Sequence, residues 1–553
     1  MVGIRKAAFV IVLVLVTAIF ATAQVSSSPP LPAPTGLTAT AVSWGQINLG
    51  WTASSGATSY NVLRSTTSGG PNTRAASGVT STSYSDMGLA PSTAYYYMVQ
   101  GANSKGTSGN SNQASAITAS VAAYYVSPNG SDSNSGTSPS SPFQTLGKAQ
   151  SAMQGSSIKT TYLMAGTYNM SSTFTLSSSD DRETWAAYPS DPPQSAILDG
   201  GSTSDSNGVA VVFAIFGGSN ITIDGLVVQH FNDSGIDVCG GTHHCFGPAA
   251  DGNVVKNNVV HDFFNRYGGG IHVLGTATNT KIFNNVVYNS ISRGINATAD
   301  SPQVGSVGDS ISGTDIENNV VLNTCSRNSD EGAIYLQDDY YPPASTNITV
   351  KNNFIRDYGS ASRFTKGIYL DDGLSNATVT QNIVAGAGQW AVQLHGGVNV
   401  TITGNLFDIG GLGDQRVLFY QCSIGDFSST CPGAGTPGGL TTMPGNSFTS
   451  NIMVNTGSSA AKAFATDLVS VDQLPTIQHN VYYNYSGGAP NDTGDMTDSN
   501  PIYKDPQCSG WTYTIASGGP VFSSPVNFPG IPGGWGPPGY KIPQTGTGPS
   551  CPH

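Results

Sequence analysis

The sequence predicts an all-β fold in which a small β-sandwich precedes a long parallel β-helix. Three observations predict it. First, a short β-favouring run built around an Asn recurs at residues 254–260, 281–287, 315–321, 349–355, 378–384 and 401–407. Weaker copies sit at Asn451-Ile452 and Asn480-Val481. The last Asn of each strong copy (Asn258, Asn285, Asn319, Asn353, Asn382, Asn405) steps by 27, 34, 34, 29 and 23 residues. A period of roughly 20–50 residues marks a stacked array. Second, each copy alternates inward apolar with outward polar residues, the period of a strand. Strands that stack on their own next copy, one per turn, make a parallel β-helix. The repeated Asn then falls in one column at a turn, where its amide can bond the Asn of the next coil. Third, only 10% of residues are charged, against roughly 25% in an average soluble protein. Gly, Ser, Thr and Asn take their place.

The elements follow in chain order. Arg5 and Lys6, the apolar run Ala7 to Phe20 and the A-x-A site Ala21-Thr22-Ala23 read as a secretory signal over residues 1–23. The apolar run is too short to span a membrane comfortably. No second candidate span appears, so the mature chain is expected to be secreted or held at the cell surface. Residues 24–33 are a Ser/Pro-rich linker. Over residues 34–119, strands are expected at Leu37–Thr40, Ile47–Trp51 and Tyr60–Arg64, followed by Leu89-Ala90-Pro91-Ser92-Thr93-Ala94-Tyr95-Tyr96-Tyr97. That L-x-P-x-T-x-Y-x-Y pattern, with Trp51, resembles a fibronectin type III domain. The resemblance makes Trp51 the core Trp and Tyr95 the tyrosine-corner residue of a β-sandwich. Both are expected to be core residues rather than a ligand site.

The β-helix is expected over 122–490. Its first block runs through Tyr124–Asp132, Pro142–Ala149 and Tyr162–Tyr168. Thr145 can cap a short helix to about Met153. That helix would cover the open end of the first coil, which is otherwise an exposed sheet edge. The block resembles the opening segment of secreted right-handed β-helix proteins of the pectate-lyase-like superfamily. The resemblance covers about 124–490 and implies a right-handed solenoid. It leaves activity open, because that fold carries hydrolases, lyases, epimerases and binding proteins. Residues 491–553 are Pro/Gly-rich and are expected to pack irregularly.

Seven cysteines are an odd number. Cys239 and Cys245, Cys422 and Cys431, and Cys508 and Cys551 are candidate pairs, and Cys325 would be left as a buried thiol. Export permits such bridges. Net charge is −12 without a basic block, which argues against a nucleic-acid partner. An acidic surface does not attract a polyanion, so a neutral or weakly charged polysaccharide or oligosaccharide fits better. The chain is expected to act as a monomer, with no membrane contact after signal removal.

A second set of strands aligns before the Asn strands: Gly235-Ile236-Asp237-Val238, Gly270-Ile271-His272-Val273-Leu274, Gly294–Thr298, Ala333–Asp339, Gly367–Gly373 and Ala391–Gly396. Inward Ile, Val and Leu alternate with outward residues. One outward column is Asp237, His272, Asn296, Tyr335, Tyr369 and Gln393. The next is Leu274, Thr298, Gln337, Asp371 and His395. Asp338 and Asp372 share the following rank. Coils lie about 4.8 Å apart, so carboxylates of one rank on neighbouring turns would sit near 5 Å apart, and one would be pushed towards protonation. An acid and a base beside sugar-binding groups is what glycoside hydrolysis requires.

The segments Gly332–Tyr335, Gly367–Gly373 and His395-Gly396-Gly397 resemble motifs of β-helix glycoside hydrolases. The resemblance implies that Asp338, Asp371 and Asp372 are catalytic. His272, Tyr335, Tyr369, Gln393, His395 and Glu331 are the expected substrate-binding residues. A hydrolase of this kind needs no cofactor. Asp at a β-helix turn is also often structural, and Asp pairs bind Ca²⁺ through oxygen. Two rival functions therefore stand beside the hydrolase. One is a Ca²⁺-assisted polysaccharide lyase, for which Arg293, Arg327, Arg356, Arg363 and Lys366 are the available cations. The other is a non-catalytic glycan-binding or adhesion protein, which would lack an acid/base pair at reacting distance.

Overall fold

The computed structural model describes most of residues 31–483 and, beyond them, three short strands between 502 and 515. Residues 1–30, 422–442, 484–501 and 516–553, with shorter stretches between, lie outside the described residues. The signal segment, most of the linker and tail, Arg363 and the Cys422, Cys431, Cys508 and Cys551 side chains fall there. The chain divides into two compact units, 1–121 and 122–553.

The first unit is a sandwich. Thr35–Ala41, Gln46–Thr52 and Ser83–Met87 form one antiparallel sheet. Ser59–Ser65, Thr73–Val79 and Ala94–Asn103 lead the other. Trp51 and Tyr95, each 7% exposed, lie in its core. The Trp51 ring packs edge-on against Tyr60 at 5.4 Å. Ala90 N–H donates to the Tyr95 hydroxyl at 2.9 Å, which pins the corner before that strand.

The second unit is a parallel β-helix of three sheets with 12, 12 and 10 strands. Ten coils contribute one strand to each sheet. The Asn copies account for the corner between the first two. Val254–Lys256 lies in the first sheet and Val259–Phe263 in the second. Each copy is thus strand, corner, strand, rather than one continuous strand. The residue before the repeated Asn makes the corner by taking a left-handed backbone: φ is 57° at Asn257, Asn284 and Asn318 and 54° at Asn352. Asn is among the few side-chain-bearing residues that tolerate this conformation. It explains why the copies so often read Asn-Asn: one Asn turns the chain and the next is free to point inward.

The inward Asn residues form a continuous ladder. The Asn258 amide nitrogen donates to Asn285 Oδ1 at 3.1 Å, and Asn285 to Asn319 Oδ1 at 3.1 Å. The run continues through Asn353, Asn382, Asn405 and Asn451 to Asn480. From Asn285 onward each ladder oxygen also accepts the backbone N–H of the preceding ladder Asn, as Asn319 Oδ1 does from Asn285 at 2.9 Å; Asn258 Oδ1 accepts from Leu226. A buried corner thereby satisfies the backbone groups it removes from water. Beneath it, Val255, Ile282, Ile316, Val350 and Val379 stack in the main core. The residues just after the ladder, from Val259 to Val481, are also buried and form a separate apolar stripe.

Thr145 caps the helix Leu146–Gln154 and accepts from Lys148 N–H. Leu146, Ala149 and Met153 enter the same core as the first coils, so this helix covers the end as its amphipathic spacing requires. A disulfide joins Cys239 and Cys245. Cys325 is a free, buried thiol.

Candidate active site on the third sheet

The third sheet carries the outward columns read from the sequence. Its pairing runs Asp237, His272, Asn296, Tyr335, Tyr369, Gln393 and then Phe419. The neighbouring column pairs Thr298, Gln337 and Asp371, with His395 beside Gln421.

Asp371 is the centre of the site. It is 6% exposed and accepts four hydrogen bonds from distinct groups. His395 Nδ1 lies 2.7 Å from its Oδ1. The Asp372 N–H reaches the same oxygen at 2.9 Å. The Tyr335 hydroxyl donates to Oδ2 at 2.7 Å, and Tyr369 also bonds the carboxylate. Burial alone would push Asp371 up; these donors outweigh it and hold the carboxyl below its ordinary range. His395 behaves in reverse. Burial favours the neutral ring, but the Asp371 bond and the charges of Asp371 and Asp372 raise its pKa. Burial, followed by the Asp371 charge, pushes both tyrosines far up, so they remain hydroxyl donors.

Asp372 completes the cluster. Its carboxylate accepts from Gln337 Nε2 at 2.9 Å and lies 3.8 Å from His395 Nδ1. Its backbone is left-handed, with φ 43°. Donor atoms of Asp371, Asp372 and His395 lie within 4.8 Å of one another. The far nitrogen of His395, Nε2, is buried and has no hydrogen-bond partner among the described residues. Gln393 Oε1 is in the same condition, while Gln393 Nε2 donates to Gln421 at 2.7 Å.

A cavity of about 480 Å³ reaches this cluster at His395 and is lined by Asp330, Phe364, Tyr369, Trp390, Gln393, His395, Phe419 and Gln421; Asp371 and Asp372 lie behind that lining. Trp390 stacks on Phe419 at 4.5 Å and 20°. Lys366 Nζ sits 3.9 Å over the Tyr369 ring and pairs with Asp330. Arg293 lies 3.7 Å over the Tyr335 ring and pairs with Glu331. Burial pushes Glu331 up to about 7, although Arg293 opposes it. A second cavity, of about 440 Å³, lies beside the end helix; no carboxylate, His or cation lines it.

Two expected residues stand apart. Asp338 shares its strand's inward parity with Leu336. It is fully buried and accepts Ser345 N–H at 2.9 Å. Its carboxylate is thus engaged by a residue seven positions on, at the end of its own strand. His272 lies in the right column but coils away from Asp371. It is 3.6 Å from Asp237 and 3.4 Å from Thr298. The acid/base candidates are thus sequence neighbours, Asp371 and Asp372, with His395 on the next coil. Trp390, Phe419, Gln421 and Phe364 escaped the sequence reading. Phe419 and Gln421 were open to it: they continue the two columns by one coil, in Arg416–Gln421. Trp390 belongs to a third column at the strand start, beside Lys366.

The donor set does not suit Ca²⁺. That ion seeks about 6–8 oxygen ligands, and both Asp371 oxygens are already engaged by protein donors. A His at the third position also favours other metals over calcium.

Comparison with known proteins covers both units. Residues 32–117 match the family described as Fibronectin type III domain, and residues 307–407 the one described as Right handed beta helix region. A poly(3-hydroxybutyrate) depolymerase of Delftia acidovorans is 41% identical over 87 residues, 15% of this chain and 17% of its own length. The chain thus shares only about a sixth of that curated relative. A Fn3-like protein from Clostridium thermocellum is 43% identical, covering 16% of this chain and 96% of that one, with a TM-score of 0.16. The fibronectin type-III domain of human fibronectin type III domain containing protein 3 is 25% identical over 18% of this chain and 94% of that domain's chain, also with a TM-score of 0.16. No helix among the described residues is long and apolar enough to cross a membrane. The chain is an all-β protein, a fibronectin type III sandwich followed by a right-handed parallel β-helix.

Proposed function

We propose that this is an exported glycoside hydrolase acting on a neutral polysaccharide or oligosaccharide, with Asp371, Asp372 and His395 as its reacting centre. The observation that carries the reading is the Asp371–His395 pair, with His395 lining an aromatic-walled cavity and its Nε2 without a hydrogen-bond partner among the described residues. Asp371, saturated with donors, is a positioning residue that fixes the ring and keeps it protonated. His395 Nε2–H then serves as proton donor to the leaving oxygen. Asp372 is the nucleophile that forms a glycosyl intermediate, and the imidazole, now neutral, takes a proton from the water that releases it. Attack by Asp372 and release of its glycosyl intermediate by water each invert the anomeric carbon, so the two displacements together restore it. Retention is therefore expected.

The lyase reading has less support. Arg293 and Lys366 are engaged by Glu331 and Asp330, and Arg356 pairs with Asp357. None is poised to neutralise a uronate. The Cys239–Cys245 disulfide agrees with an extracellular place of work. The polymer-degrading name of the Delftia relative agrees with a polymer substrate, through a shared segment alone.

A polysaccharide panel tests the proposal, read by new reducing ends and by ultraviolet absorbance of unsaturated uronate. Reducing ends without unsaturation, with retained anomeric configuration by NMR, are expected. Asp372→Asn should lower kcat by about 10²–10⁴. Unsaturated product, or full activity in that variant, would refute it.

A further inference from the structure

Phe364 breaks two rules at once. It is a large apolar side chain left 55% exposed. Its backbone is also left-handed, with φ 50°. Bulky residues avoid that region because the Cβ crowds the following carbonyl. Strain of this kind persists where surrounding structure enforces it, and it clusters at ligand sites. Burial does not offset the strain here, since most of the ring faces solvent.

The position of the ring accounts for both departures. Phe364 lines the same cavity as His395 and Gln393. It tilts 6.0 Å from Trp390, whose other neighbour is Phe419 at 4.5 Å. Within that row Trp390 is nearly covered, at 9% exposure. Phe364 is the ring of the row with a broadly open surface. The same lining holds His395 and Gln393, whose Nε2 and Oε1 are buried and have no hydrogen-bond partner among the described residues. An exposed apolar face in one lining with unpaired hydrogen-bonding groups matches a ligand with one apolar and one hydroxylated side.

We infer that Phe364 is the stacking residue of the substrate cavity, receiving the apolar face of a neutral pyranose whose hydroxyls reach Gln393 and His395. This inference rests on the proposed glycan chemistry and names the sugar class the cavity selects. At the cavity Asp330 is paired with Lys366, so neither charge is left to favour a uronate there.

The test uses the full chain in affinity electrophoresis against xylan, mixed-linkage β-glucan, galactomannan and polygalacturonate, with Tm measured in parallel. Native protein should be retarded by at least one neutral glycan. Phe364→Asn should weaken that retardation about five- to tenfold, the scale of a lost aromatic contact. Its Tm should stay level or rise, because Asn accepts the left-handed backbone. Phe364→Tyr should bind within about twofold of native. A purely structural Phe would instead lower Tm when replaced by Asn. Unchanged binding in Phe364→Asn, or equal loss in Phe364→Tyr, overturns the inference while leaving the hydrolase reading intact. Glycan binding without hydrolysis in native protein supports Phe364 and refutes the hydrolase. Selective retardation by polygalacturonate, or by no glycan, overturns both.

Discussion

At the scale of single residues, the proposed chemistry turns on one proton. Asp371 is held low and His395 is held high, so the two form an ion pair across neutral pH. If His395 donates the proton, activity is lost as pH rises through its raised pKa, above the ordinary value of about 6.5. On the acid side activity is lost as the carboxylates protonate, which for Asp371 occurs below the ordinary value of about 3.9. The expected kcat/KM profile is a bell spanning that window. Asp371→Asn removes the charge that raises His395, so the alkaline limb should move to lower pH as the rate falls. A pH–rate series on the native chain and the Asp371→Asn variant measures it; an unmoved alkaline limb would exclude His395 as the acid. The alignment of outward columns put Tyr335, Tyr369, Gln393, Asp371 and His395 on one wall, and the pairing of the third sheet keeps them together. Asp338 was read as entering the turn, but the strand Gly332–Asp338 runs through it, because strand parity alone does not reveal where a strand ends.

At the scale of elements, the Asn ladder carries the coil-to-coil register. Asn319 Oδ1 accepts from the backbone and amide of Asn285, and its Nδ2 donates to Ile282 O and Asn353 Oδ1. All of this lies out of water, with Asn319 fully buried. Asn319→Ala should cost about 2–4 kcal/mol, because each orphaned buried group costs about 1–3. A second Asn row lies at the surface, where Asn323 donates to Asn289 and Asn289 to Asp262. Asn289 is exposed and left-handed, with φ 57°. Asn289→Gly keeps that backbone accessible and should cost under about 1 kcal/mol. Denaturant melts of the two variants compare buried with exposed ladders; equal losses would contradict the argument. The ladder was legible because its spacing survives loops of any length. A turn at that column was legible too, but the left-handed residue that makes it was not, since it leaves no mark on the apolar period.

At the scale of the whole molecule, two cores form without sharing residues. Trp51, Tyr60, Tyr95 and Tyr97 belong to the sandwich cluster, and none of the β-helix residues enters it. Every residue of the proposed reacting centre lies in the second unit, 122–553. The apolar alternation around Trp51 and the Asn period were separately readable in the sequence for the same reason: each satisfies its own core. Stability and activity should then separate in the intact chain. Trp51→Ala opens a cavity in the first core, and such truncations cost about 3–5 kcal/mol. A domain of this size has only about 5–15 kcal/mol to lose, so its unfolding temperature should drop by many degrees. Calorimetry of the full chain should show two transitions, with only the sandwich transition displaced by Trp51→Ala. Hydrolysis measured between the two transitions should match that of the native chain, because a melted sandwich takes nothing from Asp371, Asp372 or His395. A joint shift of both transitions, or activity lost together with the sandwich, would show that the first unit supports the site after all.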